Sequence, residues 1–368
     1  MAKVKITGHA SGTGVITVTA PNTSTDRTIT LPDSTGTILD NTSTLDATKL
    51  SGNLPAISGA SLTNIPPQGR KNIIINGDFR INQRGLTTSA AAVTNGAYNI
   101  DRMQNYLIGV SGTVALGDAE AVNGTYETPL KYTAGSTASG RLGGFQAVED
   151  YHYGETLTAS AWVKSDNANA RIVAYDGSTL TSSNTHTGGG AWELLKVTFT
   201  QRTNPDQLYI WTAIISATVG SVSIASGDYI YISKFQCERG SVATDFERLH
   251  KGEQLALCQR YYYQDIKGTT QEIGVAWYYS NTHLSWIVNF PVPMRASPSM
   301  DYSGPTDGWT VYRNSGGDNF TTMTLENVNY QYTRASMFNN TQVSGTAGQA
   351  GVLRGTNSNS LLSFSAEL

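Results

Sequence analysis

Catalytic chemistry would be sought first among carboxylates and histidines, and in this chain of 368 residues they are thinly spread. Cleaving a glycosidic bond needs two carboxyl groups facing each other across it. Glu149 and Asp150 are adjacent in sequence, but neighbours along a strand point to opposite faces. Asp245 and Glu247 are in phase, yet Arg248 follows them and reads as a surface salt link. His9, His152, His186, His250 and His283 lie far apart, without the spacing of metal ligands. The sequence holds no GxSxG, HExxH or CxxC motif and no phosphate-cradling loop. The expectation is therefore a protein that is not an enzyme, with no catalytic residue, no metal ligand and no cofactor.

The second chemistry on offer is recognition of sugars. Aromatic faces stack on the C–H-rich side of a pyranose, and planar amide, carboxylate or guanidinium groups take its hydroxyls. The C-terminal third concentrates such residues. The candidate ligand-binding set is Trp277, Tyr279, Trp286, Trp309, Tyr312, Arg313, Asn314 and Asp318. In "GVAWYYSNTHLSW" the alternation puts Trp277 and Tyr279 on one face and Tyr278 on the other. The stretch "WTVYRNSGGDNFTT" reads as an exposed loop with a Gly-Gly tip. Against this stands the usual fate of strand aromatics, which pack in cores or interfaces.

The elements that position these residues are strands. Charged residues make up 14 % of the chain, well under the roughly 25 % of ordinary globular proteins. Net charge is -3, which gives no electrostatic footprint for nucleic acid or an anionic membrane. Threonine and the 19 tyrosines favour strands, and the 37 glycines favour turns. No stretch approaches the ~18 apolar residues of a membrane helix, so no membrane insertion is expected. The opening "MAKVKITGHASG" lacks the apolar core of a secretory leader. Cys237 and Cys258 are too few for a disulfide framework and read as two buried thiols.

Along the chain, residues 1–40 alternate as short strands with few large apolar side chains, and such a segment would need partner chains to complete a core. In residues 41–69, Leu45, Leu50, Leu54, Ile57, Leu62 and Ile65 recur every three to five positions among Ser, Gly, Asn and Thr. Pro55, Pro66 and Pro67 break helix and strand alike. Three copies wound about one axis would bury those side chains, so the expectation is an intertwined trimeric stalk, against a disordered linker that the Gly and Ser content allows. Residues 70–248 carry alternating strands such as "ETLTASAWVKS" and "WELLKVTFT", which predict one jelly-roll β-sandwich opened by "KNIIINGDFRINQRG". Residues 249–263 hold a short helical connector with Leu255, Cys258 and Tyr262 on one face. The three tyrosines of "RYYYQD" are expected to pack between two domains. Residues 264–368 read as a smaller C-terminal β-sandwich, the tip. The fold class is all-β.

Several of these stretches carry a likeness. "NIIINGDFRINQRG", "DYIYISKFQCERGSVATDFERLHKGEQLALCQRYYYQ", "FPVPMRASPSM" and the terminal "SFSAEL" resemble segments of bacteriophage tail fibres and related virion appendages. "TITLPDSTGTIL" and "ATKLSGNLPAISGASLTNI" are similar to the stalks of such proteins. The resemblance implies a virion protein made in a host cytoplasm. It implies a homotrimer whose N-terminus docks on other tail or baseplate proteins and whose tip binds a host-surface polysaccharide or protein. The alternatives are a purely structural head fibre or baseplate decoration and, third, a polysaccharide depolymerase. "NGDF", "SAWVK" and "YISKFQCERG" also resemble carbohydrate-binding jelly rolls, which often hold calcium near the first strand. The oxygens implied here are those of Asn76, Asp78 and Glu238, against a plain turn in which Asp78 accepts backbone hydrogen bonds.

Overall fold

Alternation in the sequence becomes burial in the structure, a computed structural model. In the strand Trp192–Thr200, Leu195, Val197 and Phe199 are buried, while Leu194, Lys196 and Thr198 face out. The structure describes residues 11–14, 24–26, 70–202, 207–304, 308–314 and 316–368. The docking segment 1–40 (two short stretches apart) and the stalk 41–69, with Leu45, Leu50, Leu54, Ile57, Leu62 and Ile65, lie outside the described residues.

Two sheets make the central sandwich. The first is six-stranded and antiparallel, running Ala91–Ala92, Gly112–Leu116, Leu130–Ala134, Tyr229–Arg239, Thr156–Ser165 and Trp192–Thr200 from edge to edge. The second is seven-stranded and centres on Ala170–Tyr175, Tyr209–Ile214, Ala138–Ala147 and Met103–Ile108. Spatial neighbours are distant in sequence, as a jelly roll requires. Leu157, Ala159, Ala161, Val163 and Val197 of the first sheet meet Leu142, Ile172, Ile210 and Ile214 of the second in one core.

A second sandwich follows. A seven-stranded sheet, with Glu272–Ser280 and His283–Asn289 near its middle, packs on a three-stranded sheet. There Leu361–Ser365 lies between Tyr262–Lys267 and Ser299–Ser303. Its core joins Trp286, Trp309, Tyr278 and Leu353 to Ile266, Leu362 and Phe364. Among the described residues the fold is all-β apart from the helix Lys251–Gln259. That helix ends before Tyr262, which opens a strand, so the expected Leu255–Cys258–Tyr262 face is cut short. Leu255 and Cys258 pack instead against Ile75, Ile81 and Tyr261.

The opening stretch departs most from expectation. Residues 71–82 form no ladder strand. Asn76 and Phe79 have φ of 61° and 56°, left-handed values that side-chain-bearing residues adopt at a cost. Yet Ile73, Ile74, Ile75, Phe79 and Ile81 are all buried. Buried backbone outside a ladder needs other partners, and side chains supply them. Glu247 accepts from the amides of Lys71 and Asn72 at 2.8 and 2.7 Å. Gln146 accepts from Ile75 N and donates to Ile75 O, both at 2.8 Å. Asn76 brackets Ile81 in the same way, at 2.9 and 2.8 Å. Gly77 admits no side chain, since a Cβ there would stand 1.8 Å from the Phe235 carbonyl oxygen.

The two sandwiches meet over charged and aromatic groups. Arg102, 2 % exposed, pairs with Glu367, donates to Ala147 O at 2.8 Å and lies 3.5 Å over the Tyr261 ring. Arg84 reaches the same carboxylate at 3.0 Å and stacks 3.7 Å over Tyr262. Tyr261 donates to Glu149 at 2.5 Å and Tyr263 to Asp265 at 2.7 Å. Tyr261 and Tyr262 therefore sit at this junction as expected, whereas Tyr263 packs against Phe290 on the core of the second sandwich.

Two outcomes follow from this packing. Glu367→Ala leaves the buried Arg102 charge without its carboxylate and should cost about 3 kcal/mol in urea unfolding; a loss under about 0.5 kcal/mol would show that the pair is idle. Burial pushes the Cys237 thiol up to about 12 and Cys258 well above its usual value. Neither should be labelled by maleimide at about pH 8 until the chain unfolds; stoichiometric labelling of folded protein would contradict their placement.

Candidate functional site

The expected sugar-binding set divides once its side chains are placed. Along Glu272–Ser280, Ala276 and Tyr278 point inward while Val275, Trp277 and Tyr279 point out. Across the same sheet Tyr312 pairs with Val352 and Val352 with Val275, and Ile287 is exposed on the neighbouring strand. Trp277 and Tyr279, with His283, Ser285, Ile287 and Glu326, line a cavity of about 380 Å³. The His283 ring stacks on Phe338 at 4.9 Å and meets Tyr279 at 5.7 Å.

The other candidates serve the fold. Trp286 and Trp309 are 1 % and 0 % exposed, inside the tip core, although Trp286 also lines the cavity beside Trp277 and Tyr279. "WTVYRNSGGDNFTT" is a β-hairpin rather than an open loop, with Trp309–Arg313 paired to Gly316–Phe320. Asn314, at φ 45°, is in its turn. Arg313 lies 4.6 Å over the Tyr278 ring and donates to Gln349 Oε1 at 2.9 Å and to Ser344 O. Asp318 accepts from the Tyr278 hydroxyl and from Ser344 N at 2.8 Å. Burial and Asp318 together push the Tyr278 hydroxyl up to about 12. Arg313 and Asp318 thus hold the segment around Ser344 against the sheet. Trp277, Tyr279 and Tyr312 remain on the open face, and the Arg354 guanidinium lies 3.7 Å over Tyr312.

A larger aromatic surface lies on the central sandwich, on the side of the second sheet away from the core. Strand register sets it out in rows. Arg171, Ala213, Gly143 and Tyr106 stand in one row across four strands. Val173, Trp211, Phe145 and Gln104 form the next, and Tyr175 and Tyr209 follow. The rings touch in sequence. Phe145 lies 5.4 Å from Trp211 and 5.7 Å from Tyr209, Tyr106 lies 6.0 Å from Trp211, and Tyr175 stacks on Tyr209 at 6.2 Å. Arg141 donates to the Tyr106 hydroxyl at 2.5 Å. Trp211 is nearly buried, and the other four rings are half-buried. The signal for this face was present in "QLYIWTAIIS", where both phases of the alternation are apolar. A strand that needs one apolar face and has two is covering something on each side.

Glu149 and Asp150, expected on opposite faces, both line a cavity of about 360 Å³ with Arg102 and Gln146, where Arg260 and Tyr261 donate to Glu149 at 2.8 and 2.5 Å. Burial raises the carboxyls of Asp101 and Asp265, and each is held by a neutral donor, Gln83 and Tyr263 respectively, rather than by a second acid. The oxygens implied for calcium do not converge on one partner. Asn76 Oδ1 accepts from Ile81 N, Asp78 Oδ2 pairs with Arg80 and Arg248 while its buried Oδ1 has no hydrogen-bond partner, and Glu238 accepts from Thr244 and Gln236. Among the described residues no group of His, Cys, Asp and Glu is arranged to hold a metal.

No protein-family model matches the chain, and no curated protein matches it. Among solved structures it is similar to the enzymatically active domain of tailspike protein 4 of bacteriophage CBA120. The identity is 12 % and the TM-score 0.33, over 46 % of this chain and 21 % of that one, so the chain spans about a fifth of the tailspike's length. It is similar to TmCBM61, solved in complex with beta-1,4-galactotriose, at 15 % identity and TM-score 0.29, over 46 % of this chain and 100 % of that one. It is also similar to the tandem CBM22-1-CBM22-2 domain of Paenibacillus barcinonensis Xyn10C, at 12 % and 0.27, over 76 % and 98 %.

The two tryptophans of the tip should behave oppositely. Trp309→Ala empties a core position and should cost about 3–5 kcal/mol, whereas Trp277→Ala should cost less than about 1 kcal/mol. Urea unfolding of the full chain reads both, and equal losses would contradict their assignment to different sides of the sheet.

Proposed function

We propose that the chain binds glycans, and that it does so as a host-facing virion appendage, a tail fibre, without altering the sugar covalently. The observation that carries the glycan reading is the contiguous layer of Tyr106, Phe145, Tyr175, Tyr209 and Trp211 on the outer side of a sheet, with Arg141 and Arg171 in line with it. Rings of this kind offer a large apolar area at little entropic cost, and their hydroxyls and the guanidinium groups offer polar tips. That is the chemistry a saccharide needs, a C–H face to cover and hydroxyls to hold. The tip face of Trp277, Tyr279 and His283 offers the same on a smaller scale.

The appendage role is supported by the long sequence resemblances described above. A homotrimer is supported by the spacing of Leu45 to Ile65. Weak single contacts then become useful through copy number. Simultaneous engagement raises avidity by about 10²–10⁴-fold when geometry permits. A second reading, a purely structural virion component, is favoured by the apolar stripe Val275, Ile287, Tyr312 and Val352, which a neighbouring chain would cover well.

Affinity electrophoresis of the full chain through gels containing host-surface polysaccharide separates the two. Retardation of the native chain, reduced at least about tenfold in affinity by Trp211→Ala and by Tyr175→Ala with unchanged circular dichroism, is expected for glycan binding. Native mobility in every host polysaccharide gel would favour the structural role.

A further inference from the structure

The opposite side of the central sandwich holds a built cavity. Its floor is the outer face of the first sheet, where Trp162 pairs across the ladder with Leu194, and Ser160 lies two residues away on the same face. One wall is the hairpin Glu120–Val122 and Thr125–Glu127. Its turn, Asn123-Gly124, has φ of 46° and 78°, the paired positive values of a tight hairpin turn. The other wall is the segment carrying Thr244, Asp245 and Phe246. Between them lies a volume of about 340 Å³, at the small end of the roughly 300–1,000 Å³ of ligand pockets.

The walls are fixed in place. Lys234 stands at φ 50° beside a bulge in Tyr229–Arg239. It donates to Val122 O at 2.6 Å and lies 3.8 Å from Glu127. Arg248 reaches Glu127 at 2.5 Å and Asp78 at 3.4 Å. Thr244 is held by Glu238 at 2.8 and 2.6 Å. The two cations beside the cavity are therefore matched by buried carboxylates. The lining joins Trp162, Phe246 and Leu194 to polar Ser160, Asn123, Thr244 and Asp245, and to Lys234 and Arg248 themselves. Two rings and an aliphatic side chain suit the C–H faces of a sugar. A carboxylate beside an amide suits its adjacent hydroxyls, and because Glu127 and Asp78 already match Lys234 and Arg248, no spare cation is left for an anionic sugar.

We propose that this cavity is a second saccharide site, shaped for a single neutral pyranose at a chain end. The open aromatic layer on the other sheet lacks end walls and suits the middle of a chain. The proposal stands apart from that layer, because a whole sandwich core lies between the two sheets.

Saturation-transfer NMR on the full chain tests it, with the methyl glycosides of glucose, galactose, mannose, N-acetylglucosamine and glucuronic acid as probes. The expected result is transfer to at least one neutral glycoside and weaker transfer to the glucuronide. Trp162→Ala should reduce the affinity at least about tenfold, and so should Asp245→Asn, a surface change that keeps the fold. Trp211→Ala should leave this binding unchanged. Transfer that survives both Trp162→Ala and Asp245→Asn, transfer lost only in Trp211→Ala, or no transfer to any probe overturns the proposal. None of these outcomes bears on polysaccharide retention through the Trp211 face, which is read separately.

Discussion

Buried backbone that belongs to no ladder is the constraint on which the rest of the structure turns. Residues 71–82 run through the base of the central sandwich with apolar side chains inside and few main-chain partners in a sheet. An unmet buried amide costs about 1–3 kcal/mol, so the segment is possible only where side chains reach it. Gln146 comes from the second sheet, and Glu247 from the segment that leads to the helix. Asn72 accepts from Cys237 N, in the first sheet. Three distant parts of the chain are thereby fixed to one short stretch. The helix then closes over Ile75 and Ile81, and the junction with the tip is built beside it.

Low charge shapes the surfaces in the same way. With few lysines and acids, the outer faces of the sheets are free to carry rings and hydroxyls. The three faces differ in what accompanies those rings. The second sheet of the central sandwich adds two arginines, the walled cavity of the first sheet adds a carboxylate, an amide and two cations matched by buried acids, and the tip adds mostly aliphatic side chains. Polar groups beside rings favour a sugar, whereas valine and isoleucine beside rings favour another protein surface.

Much of this was legible in the sequence. Period-two patterning gave the faces of Trp192–Thr200 and Glu272–Ser280, including the outward Trp277 and Tyr279. Patterning failed where side chains replaced the ladder. "NIIING" has the look of a strand, but the left-handed Asn76 and Phe79 follow from tertiary hydrogen bonds that no local window contains. In "WTVYRNSGGDNFTT" the glycines suggested a loop tip. In fact Gly316 and Gly317 continue a strand, and a Cβ on Gly317 would lie 2.8 Å from the Thr310 hydroxyl. Trp309 and Trp286 were candidates because tryptophan is common in sugar sites, and phase alone cannot tell which side of a sheet is covered. The aromatic layer was missed for a related reason. Tyr209 and Trp211 are on one strand, but Tyr106, Phe145 and Tyr175 come from three others whose order is not written in any one of them.

The strand Leu361–Ser365 has a further consequence. It is the middle member of its sheet and places Leu362 and Phe364 against the Trp286 and Trp309 core. During synthesis it emerges after every other strand of that sandwich. Until it arrives, Tyr262–Lys267 and Ser299–Ser303 have no common partner, and a large greasy surface stays open to water. A nascent chain stalled short of Leu361 would thus be a ready client for chaperones, and a nicked one would be prone to clump. The C-terminal sandwich closes late, after the central one has had time to form.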